Sequence, residues 1–298
     1  MVEKAPLEDQ PLLLYNRTRQ VAVDLAAKLG GPSKAEVVDS LAEGAARADI
    51  IFTTLSNDQV VESTIDEILA SLTTSSSPES IKSKLIIESS TIHPTTTELI
   101  AEKVTASGAA FVAAPVFGAP AMADSGHLIG VLAGPAASVS RAKPYFKGVT
   151  SRGIVDMSDE PYGKALTLKL IGNTFILNMV EQLAEGHVLA EKSGLGTEYL
   201  HQWVSDMFPG PYAAYSTRML SGDYYKREYP LFTVDLARKD AGHALSLAEA
   251  AGVRMRNAET GDAHLAQVKE HAGERGDIAG IYGAVRKEAG LKFENGDE

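Results

Sequence analysis

The sequence has 298 residues, 44% of them apolar and 22% charged, enough for two domains that each bury a core. Its net charge of −11 argues against a nucleic-acid footprint and against docking on anionic membrane. There is no cysteine, hence no disulfide, thiolate metal site or cysteine nucleophile, and MVEKAPLEDQ lacks a signal peptide's apolar core; the expected compartment is the cytoplasm.

In chain order, PLLLYNRT (residues 11–18) reads as a buried strand ending in polar residues. A helix over 19–29 follows, stopped by Gly30, Gly31 and Pro32. A short strand at 36–38 precedes Ser40, whose S-L-A-E pattern is a capping box. DIIFTTL (49–55) is a second β-branched run, followed by a helix to about Leu72 and a polar loop, TTSSSPES (73–80). Further strands are expected at 85–88, 110–114, 128–132 and 153–157, with helices at about 95–107 and 138–146. Strands alternating with helices of this length indicate a doubly wound, mostly parallel sheet, an α/β class. After Pro161 the pattern is helical almost to the end, placing the boundary between residues 1–158 and 159–298. The tail FENGDE is expected to be disordered. No segment reads as a membrane span.

The longest helix pattern, GKALTLKLIGNTFILNMVEQLAEGHVLAEKS (163–193), is apolar on nearly every face and is expected to be buried. Pro161 suits its first turn, with Ser158 and Asp159 as candidate caps, and Gly194 and Gly196 suit its end. Between 164 and 181 it carries one charge, Lys169, with Asn173 four residues on and therefore on the same face. Either Lys169 snorkels to the surface with Asn173 bonded to it, or the pair marks a site.

Ligands of open parallel sheets bind at the carboxyl ends of the strands. The polar ends here are Asn16-Arg17-Thr18, Ser56-Asn57-Asp58, Ser89-Ser90-Thr91 and Val116-Phe117-Gly118. An acidic residue at the first of these would bind a ribose 2′-hydroxyl, whereas Arg17 accommodates a 2′-phosphate, which favours NADP over NAD. His93, His127, His187, His201 and His243 lack paired-ligand spacing, so no metal site is expected, and no G-x-S-x-G nucleophile motif occurs. The aromatic-rich stretch of Trp203, Phe208, Tyr212, Tyr215, Tyr224, Tyr225 and Tyr229 reads as core or subunit interface.

Taken together, LYNRT (14–18), SST (89–91), APVFGAPAMADSGHL (114–128), KLIGN (169–173), AEKSGL (190–195) and Lys239-Asp240 resemble the β-hydroxyacid dehydrogenase family in its own order. That family includes 3-hydroxyisobutyrate dehydrogenases, glyoxylate and succinic semialdehyde reductases and, more distantly, 6-phosphogluconate dehydrogenase. The resemblance implies a Rossmann-type NADP-binding domain, a long interdomain helix, and an all-helical domain that forms homodimers or homotetramers. It implies a small-molecule carbonyl or hydroxy substrate, with Lys169 as catalytic acid and base and Asn173 orienting it or holding substrate. A buried ammonium suits that role, since desolvation lowers its pKa toward the working range. Asn16, Arg17 and Thr18 would meet the 2′-phosphate, Leu55 and Ser56 would lie along the cofactor, and Thr91 beside the nicotinamide ribose. Lys239 would reach the cofactor, and Asp240 would position it and help bind substrate.

Two departures qualify the transfer. Where the family's substrate loop reads P-V-S-G-G, this chain has Pro115-Val116-Phe117-Gly118-Ala119-Pro120, so Phe117, Gly118 and Ala119 form the substrate-binding loop without a serine hydroxyl. A bulkier or less polar carbonyl compound is then expected. The second departure is that no G-x-G-x-x-G turn precedes residues 11–18, the first glycine being Gly30. The expectation is a sheet missing its first strand, read as an N-terminally truncated enzyme. The competing reading is a catalytically silent oligomeric binding or scaffold protein; imine reduction within the same superfamily is a third.

Overall fold

The computed structural model describes residues 1–8, 10–75 and 77–296, and divides into two compact units, Met1–Lys169 and Leu170–Glu298. In the first, β1 (Leu12–Leu14) and β2 (Ala35–Val37) pair in parallel, Leu12 opposite Ala35, through α1 (Arg19–Lys28). Gly30 and Gly31, at φ +106° and +83°, turn the chain from α1 toward β2, a conformation that glycine adopts without Cβ strain. The Ser40 half of the capping box forms at α2 (Leu41–Arg47), Ser40 Oγ accepting from Glu43 N at 3.1 Å, while Glu43 Oε2 reaches one residue further back and accepts from Asp39 N at 2.9 Å.

A second sheet holds β3 (Ile50–Thr53), β4 (Leu85–Glu88), β5 (Ala110–Ala113), β6 (Val116–Phe117), β7 (Leu128–Gly134) and β8 (Ser151–Ser158). Its order is β3-β4-β5-β7-β6, with β8 beside β7. β3, β4 and β5 run parallel, as do β7 and β8, while β7 is antiparallel to β5 and β6. Ile86 and Phe111 face one core with Ile65, Ile68 and Leu72 of α3 (Asp58–Ser75) and Ile100 of α5 (Pro94–Ala106). Leu85, Ile87 and Val112 face the other, with Val139 of α7 (Ala136–Ala142) and Phe146. Covered on both faces, β4 is buried throughout, as its unbroken apolar run requires.

Among the described residues no ladder joins β1 to β3, so the doubly wound sheet is present in two pieces. β1 and most of β3 are only half-buried, the burial of edge strands.

The expected polar loop over 73–80 is largely helical: α3 runs to Ser75 and α4 spans Pro78–Ser83, with Ser76 outside the described residues. α8 (Tyr162–Lys192) matches the long helix, but its start differs from the expected caps. Asp159, at φ +64°, accepts at Oδ1 from Ala136 N of α7 at 2.8 Å, and Glu98 Oε1 accepts from Gly163 N at 2.7 Å.

α8 continues into the second unit, where it meets α9 (Thr197–Met207), α10 (Pro211–Leu220), α11 (Asp223–Lys226), α12 (Val234–Ala250), α13 (Arg256–Ala272) and α14 (Ile281–Glu288). Their core gathers Leu177, Val180, Val204, Met219, Tyr224, Leu265 and Tyr282. A Cβ at Gly261 of α13 would lie 2.8 Å from Leu177, which is how closely α13 approaches α8. α8 is not buried all round: Phe175 is 72% and Leu189 68% exposed, on a stripe that also bears Ile171. The aromatic stretch splits accordingly, Tyr224 in the core and Trp203, Phe208 and Tyr229 exposed.

The expectation of a disordered tail is corrected for residues 293–296. Phe293 is buried, Tyr224 Oη donates to its carbonyl at 2.5 Å, and Asn295 Nδ2 donates to the carbonyls of Met219 and Leu220. Asp297 and Glu298 lie outside the described residues. No described helix is long and apolar enough to cross a membrane.

Candidate active site

At the carboxyl end of β1, Thr18 N donates to Asn16 Oδ1 at 2.9 Å, a turn that leaves Arg17 exposed. Neighbouring guanidinium groups are matched by carboxylates: Arg19 by Asp39, and Arg47 by Glu36 and Glu43. Arg17 has no ion-pair partner among the described residues.

At the ends of β3 and β4 the organiser is a residue that the sequence reading passed over. Glu88 is fully buried and burial pushes its carboxyl up; Ser90 N donates to Oε1 at 2.5 Å and the Thr53 hydroxyl donates to Oε2. Ser90 Oγ in turn accepts from Leu55 N at 2.7 Å, and Asp58 Oδ1 accepts from His93 N and Thr96 Oγ1. Leu55, Ser56 and Thr91 therefore sit on loops tied to each other. The available signal was an acidic residue closing the apolar run LIIE just before SST.

The loop expected to bind substrate contains an unexpected strand. β6 places Phe117 opposite Ile129 of β7, and Gly118, at φ +138°, turns the chain where a Cβ would lie 2.7 Å from Leu128 Cδ2. Ala119 then precedes the short α6 (Pro120–Asp124) without a side-chain cap. Lys169 of α8 reaches the Phe117 ring, its Nζ 4.6 Å from the centroid, a cation–π geometry. Only 9% of Lys169 is exposed, so it does not snorkel.

One turn further along α8, in the second unit, Asn173 Nδ2 donates to Asp240 Oδ2 of α12 at 2.6 Å. Asp240 is buried, and its Oδ1 lies 3.2 Å from Lys239 Nζ without hydrogen-bond geometry. Both Asn173 and Asp240 line a cavity of about 10 Å³ with Thr174, Leu177, Phe232 and Ile278, which admits a single water at most. Asp240 thus meets both its neighbour Lys239 and Asn173, the latter a pairing across 67 positions that sequence spacing could not show.

Among the described residues no three His, Asp or Glu side chains gather as a metal site. Two histidine clusters are structural. His187 Nε2 and His201 Nδ1 each lie 2.8 Å from Ser216 Oγ, and burial brings His187 down to about 4. His264 Nδ1 lies 2.8 Å from Glu181 and Nε2 3.1 Å from Glu288, and the Glu181 bond raises the imidazole to about 9.

Two family profiles match in tandem: the NAD binding domain of 6-phosphogluconate dehydrogenase over residues 1–157, and the NAD-binding domain of NADP-dependent 3-hydroxyisobutyrate dehydrogenase over 163–285. The chain belongs to the β-hydroxyacid dehydrogenase family. It is an NAD(P)-dependent oxidoreductase acting on CH–OH groups. The NADH-dependent oxidoreductase ucdB of Aspergillus ustus is 39% identical over 285 residues, covering 95% of this chain and 93% of that protein. The 3-sulfolactaldehyde reductase of Escherichia coli is 28% identical over 84% of this chain and 81% of its own length. The crystal structure of 3-hydroxyisobutyrate dehydrogenase from Salmonella typhimurium superposes with a TM-score of 0.76 at 22% identity, covering 93% of this chain and 90% of that one, and shows the shared fold.

A nicotinamide dinucleotide is therefore the expected cofactor, and the donor set at the strand ends suits it. Arg17 offers an unmatched positive charge for a phosphate, and Ser56 and Thr91 offer hydroxyls for ribose. The part that does not fit is the pyrophosphate cradle: no glycine-rich turn opens a helix beside β1 or β3 among the described residues.

Proposed function

We propose that this protein is an NADP-dependent oxidoreductase that interconverts an alcohol and a carbonyl, with Lys169 as general acid and base. The observation that carries this reading is the Lys169 ammonium, buried in α8 and directed at the ring of Phe117 on the substrate loop. When bound, the nicotinamide supplies or accepts the hydride. In reduction Lys169 gives a proton from Nζ to the carbonyl oxygen; in oxidation the same nitrogen takes the hydroxyl proton. Asn173, oriented by Asp240, holds the substrate oxygen or the lysine. Arg17 meets the 2′-phosphate, flanked by Asn16 and Thr18, and Leu55, Ser56 and Thr91 line the rest of the cofactor, with Lys239 contributing from α12.

In this account residues 1–158 bind the cofactor, while 159–298 complete the substrate site and mediate homodimer or homotetramer formation. The exposed Phe175, Leu189, Trp203 and Met207 support the assembly role. The setting is cytoplasmic, with neither nucleic acid nor membrane as partner. One observation favours a second reading, an oligomeric binding or scaffold protein: the sheet is divided between β1 and β3, where a phosphate-binding turn would be needed.

Incubation with NADPH and a panel of aldehydes separates the two. The enzyme reading expects NADPH loss matched one for one by alcohol, and NADPH bound roughly tenfold or more tightly than NADH. No reduction of any carbonyl, in a protein that assembles normally, would favour the scaffold.

A further inference from the structure

We propose that Phe117 sets the substrate class, selecting carbonyl compounds that carry a flat apolar or aromatic group next to the reacting carbon over small carboxylate-bearing ones. This rests on the assignment of Lys169 as proton donor. The carbonyl oxygen must come within hydrogen-bonding distance of Lys169 Nζ, and that nitrogen lies 4.6 Å from the centre of the Phe117 ring. Any group flanking the carbonyl on that side meets an aromatic face. A ring offers no hydroxyl to a carboxylate, and a carboxylate pressed against it is desolvated without a compensating hydrogen bond. A planar apolar group gains both area burial and ring–ring contact there.

The ring is also held in place. Phe117 is in register with Ile129 on β7, and part of its surface packs into the core that contains Ile86 and Phe111. Behind it, Gly118 makes a turn against Leu128 and Met122 that admits no Cβ. A side chain fixed by a ladder, a core and a turn discriminates by shape, whereas one on a mobile loop would move aside.

The test compares benzaldehyde with succinic semialdehyde as substrates, and benzyl alcohol with 4-hydroxybutyrate as ligands followed by saturation-transfer NMR. Wild type is expected to favour the aromatic member of each pair, in kcat/KM by roughly tenfold or more. Phe117→Ser should reverse the kcat/KM preference and abolish benzyl alcohol saturation transfer, while Phe117→Leu, which keeps bulk, should retain both. Wild-type preference for succinic semialdehyde, or benzyl alcohol binding unchanged in Phe117→Ser, would overturn the proposal. Lys169→Ala distinguishes the underlying reading: turnover surviving there refutes the proton-donor role, whereas the benzyl alcohol signal still reports on Phe117 alone.

Discussion

The Asn173 side chain shows how a residue can be fixed by a partner invisible in the local sequence. Its amide donates to a carboxylate on α12, and that carboxylate is itself buried beside Lys239. Removing Asp240 takes away the acceptor at 2.6 Å toward which the amide is turned. Asp240→Ala should lower kcat by roughly tenfold to a hundredfold through misplacement, with the fold retained by circular dichroism. Asp240→Asn keeps an oxygen that can accept from Asn173 and should recover most of the loss. Equal losses in the two variants would mean that charge, and not amide placement, is what the reaction needs. The Lys169 and Asn173 pair was legible in the sequence, because a lone charge and an amide at helical spacing stand out in an apolar helix. Glu88 was not, since a carboxylate closing a strand looks like any other strand end until its burial is known.

Among the elements, long periodic segments were legible and short edges were not. α1, α5 and α8 lie within a residue or two of their expected bounds, because each carries a helical pattern bounded by Pro or Gly. β6 spans two residues and exists only because β7 pairs with it, so no local pattern announces it. The cap expected from Asp159 goes to α7 for a similar reason: several helix starts compete for one carboxylate, and tertiary geometry decides. The β6 turn gives a direct check on this element. Gly118→Val places a β-branched side chain at φ +138° and against Leu128, and should cost about 1–3 kcal/mol in urea unfolding. An unchanged midpoint would mean that the turn relaxes freely and does not hold Phe117.

At the scale of the molecule, the class and order of elements followed from the alternation of strand and helix patterns, which is why the doubly wound sheet and the helical second half were both foreseen. The division of the sheet appears in the structure as half-buried strands on either side of the break, β1 and most of β3, whereas β4, the next strand after β3, is wholly buried. The helical unit carries its own pH dependence. Glu181 and Glu288 hold His264 at about 9, above its ordinary 6.5, so the pair stabilises the fold fully below about 6.5. That contribution is lost as pH rises from there through 9, because the unfolded state releases the proton first. The urea midpoint of wild type should fall across that window, and His264→Gln should flatten the slope; an identical slope in the variant would place the titration elsewhere.

The central claim is that Lys169 moves the proton, and it is tested most directly by single-turnover reduction of a carbonyl substrate at saturating NADPH. Lys169→Ala should slow that step by about 10²–10⁴-fold while the NADPH dissociation constant stays at its wild-type value. A rate within about threefold of wild type, at unchanged cofactor affinity, would contradict the account.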